Sequence, residues 1–280
     1  MAEPHPARRG AAAPPPPDGP AGAGRIRAAA RTLLDAERRR TAVPQLTEDW
    51  SDLDLATAYA VQDAALEDRT AAGARLVGVK LGLTSAAKQR SVGIDAPITA
   101  WLTDTMLLPA DRPVPFDRLI QPRAEPELVL ILGEPLAGPG VTAAGALAAV
   151  RGVRAGIEVI DSRYAGFRFS LPDVVADNAS AAFFVLGERE LRPEEVDLVT
   201  EHCRFEVDGE LVATATGADV LGSPAEALAR AANELATRGR YLEAGSTVLT
   251  GGMTTAVPLV PGRPVTARFG RLGTVTVGGA

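Results

Sequence analysis

"PRAEPELVLILG", residues 122–133, sets Glu125 and Glu127 at the entrance to an apolar run. The run reads as a buried strand, and "LVLIL" at 128–132 is far too short to span a bilayer. On a strand, residues i and i+2 point to one face, so the two acids project together. Like charges side by side in a poorly solvated place repel unless a cation sits between them. A solvated strand end would carry the same pair without penalty. On these residues alone both readings stand open.

Outward from this strand the same period recurs. In "RLVGVKLGLTS", residues 75–85, Val77, Val79, Leu81 and Leu83 share one face, and Gly78, Lys80 and Gly82 share the other. In "VRAGIEVIDSRY", residues 153–164, Glu158 lies among apolar neighbours, where a carboxylate is costly to bury without a partner. "AAFFVLG" reads as a strand ending at Gly187. Asp208-Gly209 within "CRFEVDGELVATA" is a hairpin signal, and the tail from Ser246 reads as short strands with glycine and proline turns.

Helices precede and separate these strands. Residues 25–40, "RIRAAARTLLDAERRR", form an Ala/Arg-rich helix by their spacing. The spacing predicts another over 51–73, with Ser51 as N-cap, Asp54 closing a capping box and Gly73 ending it. Ser85 is placed to cap a short helix that stops at Gly93, and Thr142 one over 143–150. Ser223, Pro224 and Glu226 open a helix that Gly239 terminates. Without regular strand–helix alternation, the expected class is α+β. The expected division is a leader over 1–24 and one domain over 25–280, helical to about 75 and β-rich from about 76.

Composition narrows the chemistry. The 280 residues carry a net charge of −6, which gives no electrostatic reason to bind nucleic acid. One cysteine excludes an internal disulfide framework, and nothing is apolar and long enough for a membrane span. The first 24 residues hold seven prolines and no apolar signal core, so they read as a disordered leader of a cytoplasmic protein. Two histidines, His5 and His202, leave little for a Ser-His-Asp triad or a histidine-rich metal site. A bound metal would need oxygen ligands, which selects hard cations. Glu125, Glu127 and Glu158 could supply them. Lys80, flanked by bare glycines, is either a solvated edge residue or a group that meets a ligand.

Six ordered segments carry a resemblance: "VGVKLGLTS", "QPRAEPELVLILG", "IEVIDSRY", "VVADNASAAFFVLG", "LGSPAEALARAANELATRG" and "AGSTVLTGG". From about residue 30 onward the chain resembles the 2-oxopent-4-enoate hydratase / 4-oxalocrotonate decarboxylase family of the fumarylacetoacetate hydrolase superfamily. The resemblance implies a mixed β-roll core with flanking helices, a Mg²⁺ or Mn²⁺ cofactor and a homo-oligomer, with a paralogous hydratase as a further possible partner. It implies that Glu125, Glu127 and Glu158 are metal ligands and that Lys80 is the active-site lysine. Gly82, Ile98, Asp161 and Ser162 are implied to contact a small 2-oxo acid. Pro126 departs from the small residue usual between the two glutamates, and Ala100 from an expected glycine.

Hydrolytic members of the superfamily activate water with a His/Glu pair, which suits this chain poorly. Hydratases of the family resemble one another in carrying an acid within a "PDFG"-like stretch. Here the stretch is "PITA", with Ile98 in the acid's place. The resemblance therefore implies decarboxylation of 4-oxalocrotonate to 2-hydroxypenta-2,4-dienoate and CO₂ in aromatic meta-cleavage catabolism. Hydration of that dienoate, or a non-catalytic subunit of such a complex, is the alternative.

Overall fold

The computed structural model describes residues 20–84, 97–110 and 112–278. Its helices are α1 (Pro20–Arg39), α2 (Leu46–Asp49), α3 (Leu55–Ala71), α4 (Ala143–Ala148), α5 (Leu171–Ala176) and α6 (Pro224–Thr237). Its strands are β1 (Leu76–Gly82), β2 (Ile98–Thr103), β3 (Arg123–Leu132), β4 (Val150–Ile160), β5 (Ala181–Leu191) and β6 (His202–Val207). They continue with β7 (Glu210–Thr216), β8 (Thr247–Leu249), β9 (Val257–Pro258), β10 (Val265–Phe269) and β11 (Gly273–Val277). The larger sheet runs β2-β1-β8-β3-β4-β5 with β9 on β3, and the smaller runs β11-β10-β6-β7. All pairings are antiparallel except β1 with β8, so the sheet is mixed. This is the expected β-roll with flanking helices.

The period of two in β3 sorts its side chains. Ala124, Leu128, Leu130 and Leu132 enter the main core with Ile157 and Val159 of β4, Phe205 of β6 and Val275 of β11. The opposite face carries Glu125 and Glu127, then Val129 and Ile131, which pack with Leu249 and Phe184. One strand thus closes the core on one side and carries acids on the other. Burying each such Leu or Ile contributes about 1.5–3 kcal/mol.

The helical part packs on this sheet. The Gln62 amide of α3 donates to Thr99 O of β2 at 3.1 Å and to Val175 O of α5 at 2.9 Å. The Arg238 guanidinium stacks on the Tyr59 ring of α3, 3.8 Å from its centroid. These contacts join the helices to the β core.

Several local expectations are corrected. Helix α1 begins at Pro20, ahead of the start at residue 25 read from the spacing, while residues 1–19 lie outside the described residues. Asp54, not Ser51, caps α3, accepting from Thr57 N at 2.7 Å, because only Asp54 sits three residues before that amide. Glu226 closes no capping box. It pairs with Arg230 one turn on, and Ser223 alone accepts the Ala225 amide. β5 continues past Gly187 to Leu191. The short helix expected after Ser85 lies outside the described residues. Thr142 caps α4, and Asp208 and Gly209, both at positive φ, turn the β6–β7 hairpin as read.

The core assignment predicts a sharp contrast in urea unfolding followed by circular dichroism. Leu130→Ala, fully buried, should lower stability by about 2–5 kcal/mol. Leu211→Ala, exposed on β7, should change it by less than about 0.5 kcal/mol.

Candidate active site

Strand register relays one face across the larger sheet. Gly82 pairs with Ile98 and Lys80 with Ala100, Lys80 in turn with Leu249, and Leu249 with Val129. Two and four residues before Val129 stand Glu127 and Glu125, and Glu125 pairs directly with Glu158 of β4. Lysine and acids therefore arrive on one surface from β1, β3 and β4. Directly opposed like charges in an antiparallel pair are unfavourable, and here both are buried.

One oxygen from each of Glu125, Glu127 and Glu158 lies within 4.8 Å of the others. Glu127 and Glu158 are 0% and 1% exposed, and Lys80 is 3% exposed. Lys80 Nζ lies 2.9 Å from Glu158 Oε2 and donates to Ala179 O at 3.1 Å. Glu127 Oε2 accepts from Gly251 N at 2.7 Å. Apart from the lysine ion pair, no donor among the described residues reaches Glu158 in hydrogen-bond geometry, and none reaches Glu127 Oε1. Such orphaned buried oxygens on Glu127 and Glu158, close to the Glu125 carboxylate, fit a hard divalent cation with oxygen ligands.

The segment after β8 completes the cradle. A Cβ at Gly252 would lie 2.0 Å from Glu125 Oε2, so a side chain there would occupy the carboxylate's place. Gly251 has φ +112, a conformation that suits glycine, and its N–H is aimed at Glu127. The Pro126 carbonyl accepts from Met253 N at 2.9 Å. Its backbone therefore faces this segment, and its missing N–H is not subtracted from the β3–β4 ladder.

Burial is the main reason the Glu127 carboxyl is pushed well above the usual carboxylate range, with Glu158 and Glu125 adding to it. Burial likewise raises Glu158, against the pull of Lys80. Burial opposes the charge on Lys80, yet Glu158, then Glu125 and Glu127, outweigh it and hold the ammonium above its ordinary value. Lys80 is therefore a charged donor at neutral pH.

Gly82 and Ile98 stand beside Lys80 on its face, and a Cβ at Gly82 would lie 2.9 Å from Ile98 Cγ1. Ala100 is buried directly across from Lys80. Asp161 and Ser162 are placed differently. The Asp161 carboxylate accepts from the Ile120 and Gln121 amides at 2.8 and 2.6 Å, fixing the approach to β3. The Ser162 hydroxyl bonds Asp177 Oδ2 and accepts from Tyr164 N. The roles of Gly251, Gly252 and the Ala179 carbonyl had no sequence signal beyond a glycine pair after a strand and the "DNAS" stretch.

The fumarylacetoacetate hydrolase C-terminal family model matches residues 76–278. The chain belongs to the fumarylacetoacetate hydrolase family. Within it, the chain is similar to a 4-oxalocrotonate decarboxylase of Pseudomonas sp. (strain CF600), 41% identical over 244 residues, covering 87% of this chain and 92% of that protein. It is 43% identical over 204 residues to a 2-hydroxypent-2,4-dienoate hydratase of Pseudomonas putida, covering 72% of this chain and 92% of that protein. The solved structure of 4-oxalocrotonate decarboxylase from Pseudomonas putida G7, complexed with magnesium and adipate, superposes with a TM-score of 0.90 at 39% identity. That match covers 92% of this chain and 98% of that one.

Two predictions follow from the geometry. Gly252→Ala should weaken Mg²⁺ or Mn²⁺ binding at least about tenfold in calorimetry, because the added methyl displaces the Glu125 carboxylate. The raised carboxyls of Glu127 and Glu158 bind protons in the folded metal-free protein at pH values where unfolded carboxyls have lost them. Metal-free stability therefore falls as pH rises through that window, and a cation that displaces those protons stabilises more as pH rises. The Mg²⁺-induced rise in Tm should be larger at about pH 8 than at about pH 5.5. An equal rise at both would contradict the assignment.

Proposed function

We propose that the chain is a divalent-metal-dependent 4-oxalocrotonate decarboxylase of aromatic meta-cleavage catabolism. The observation that carries this is the buried Glu125–Glu127–Glu158 cluster with Lys80 in contact and the apolar Ile98 on the same face. The substrate is 2-oxo-3-hexenedioate, whose departing carboxylate lies beyond an alkene conjugated to the 2-oxo group. When the C–C bond to that carboxylate breaks, its electron pair runs through the alkene to the 2-oxo oxygen. The products are CO₂ and 2-hydroxypenta-2,4-dienoate.

A Mg²⁺ or Mn²⁺ held by Glu125, Glu127 and Glu158 supplies Lewis-acid stabilisation of the negative charge that develops on the 2-oxo acid. The Lys80 ammonium hydrogen-bonds the 2-oxo oxygen as its charge grows and provides the proton of the 2-hydroxy product. Gly82 lets Ile98 and Ala179 pack close beside Lys80, since a side chain there would meet Ile98 Cγ1 at 2.9 Å and Ala179 Cβ at 3.6 Å. Ile98 offers no carboxylate to activate water and adds no repulsion to the departing carboxylate. Asp161 and Ser162, whose polar atoms hold main chain and Asp177, act on the shape of the site and not on substrate.

Hydration of 2-hydroxypenta-2,4-dienoate is the second reading, favoured by the 43% identity to a hydratase. The acid that would manage water is replaced by Ile98, which places hydration behind decarboxylation. Residues 25–280 work as one catalytic unit in this reading, and residues 1–24 are dispensable for turnover. Among the described residues no helix is long and apolar enough to cross a membrane, in keeping with a cytoplasmic enzyme. Exposed Leu76, Leu107 and Tyr241 line one groove, in keeping with a homo-oligomer or a complex with a paralogous hydratase.

Purified protein with Mg²⁺ should release CO₂ from 4-oxalocrotonate and leave 2-hydroxypentadienoate unhydrated, followed by ultraviolet absorbance. Lys80→Ala should lower kcat about 10²–10⁴-fold. Ile98→Asp should not improve decarboxylation. Rapid hydration of the dienoate without CO₂ release from the enedioate would reverse the order of the two readings.

A further inference from the structure

The "DNAS" stretch, residues 177–180, holds an unusual run of backbone. Asn178, Ala179 and Ser180 have φ values of 49°, 47° and 58°, three successive non-glycine residues in the left-handed region. A side-chain-bearing residue visits that region singly and at a cost, so three in a row persist only where their surroundings hold them.

The surroundings do hold them, from two sides. The Asn178 side chain spans the backbone of Trp101 in β2, accepting from Trp101 N at 2.8 Å and donating to Trp101 O at 2.9 Å. On the other side, the buried Asp177 carboxylate takes the Arg163 Nε–H, the Arg163 backbone N–H at 3.2 Å and the Ser180 hydroxyl at 3.2 Å. Arg163 also donates to Asp161 O at 2.9 Å and Ala181 O at 3.0 Å, and Asp161 N donates to Ser180 O at 2.8 Å. A buried ion pair with all these hydrogen bonds is an expensive arrangement unless it fixes something. Between the two clamps, the Ala179 carbonyl accepts from Lys80 Nζ at 3.1 Å.

We propose that the left-handed turn Asn178–Ser180, clamped by Asn178 on Trp101 and by Asp177 with Arg163, is the positioning element for Lys80. An ammonium has three hydrogens. The Ala179 carbonyl takes one, the Glu158 carboxylate pairs with the charge at 2.9 Å, and the ammonium keeps hydrogens for the substrate oxygen. Asn178 is a positioning residue that acts through the Ala179 carbonyl. The inference rests on the reading of Lys80 as the group that meets the 2-oxo oxygen.

Three variants test it in the full-length, metal-loaded enzyme. Asn178→Ala and Asn178→Gly both remove the bonds to Trp101, and the glycine variant keeps the left-handed turn unstrained, so it folds even where alanine does not. Both should lower kcat about 10–100-fold while KM and the Mg²⁺ Kd stay within about twofold. Leu211→Ala, exposed on β7, is the control and should stay within about twofold of wild-type kcat. A second readout needs no turnover. The chain has two lysines, Lys80 and Lys88, so the ¹⁵N ammonium spectrum of lysine-labelled protein is simple to assign with Lys80→Ala. The Lys80 signal should be visible in wild type and lost or shifted in Asn178→Gly. If wild type releases no CO₂, the proposed function fails, and the ammonium signal still decides the clamp. A folded Asn178→Gly with kcat within twofold of wild type, or with an unchanged Lys80 signal, overturns the inference. So does a kcat loss matched by equal losses in KM and Mg²⁺ affinity.

Discussion

Three carboxylates share one buried face of the larger sheet, and Glu125 and Glu158 stand directly opposite each other across the β3–β4 pair. In a water-poor place that arrangement is repulsive, and the Lys80 ammonium offsets only part of it. The protein retains it because the same features that make it unfavourable when empty make it selective for a small hard cation. Orphaned oxygens, low exposure and a fixed spacing are what such an ion needs. Much of the surrounding architecture can be understood as holding these charges where chemistry would not otherwise leave them.

β3 does this with its period of two. Its core-facing leucines lock the strand against the smaller sheet, and that lock fixes where the opposite face points. β8 is short, and beyond it the chain turns through Gly251 and Gly252 so that backbone can approach the acids without a side chain between. The lysine is also a deliberate choice of cation. Among 29 Lys and Arg residues the chain uses lysine twice, and one of the two is buried here. A compact ammonium with three rotatable donors fits beside a metal-sized gap, where the wide planar fork of arginine would fill it.

Much of this was legible in the amino-acid order. Period-two spacing put Glu125 and Glu127 on one face, and the apolar neighbours of Glu158 marked it as needing a partner. The hairpin at Asp208-Gly209 and the cap at Thr142 were readable because local backbone demands choose those residue types. What was not legible depends on register and on distant chain. That Glu125 faces Glu158, and that Lys80 reaches them past β8, is decided by strand pairing, which no single segment encodes. Asp161 and Ser162 show the same limit. The resemblance alone marked them as substrate contacts, and their bonds to the Gln121 backbone and Asp177 depend on chain far from either residue. The cap of α3 is Asp54 and not Ser51 because two acceptable cap residues lay within one turn and the helix starts at Leu55.

The central claim is that Glu125, Glu127 and Glu158 together hold one divalent cation. Crystals grown with Mn²⁺ and measured near the manganese absorption edge test it without reference to turnover. The account predicts one strong anomalous peak bounded by oxygens of those three glutamates, and its loss in crystals of Glu127→Gln. A peak bound elsewhere, or one that survives that substitution in place, would contradict it.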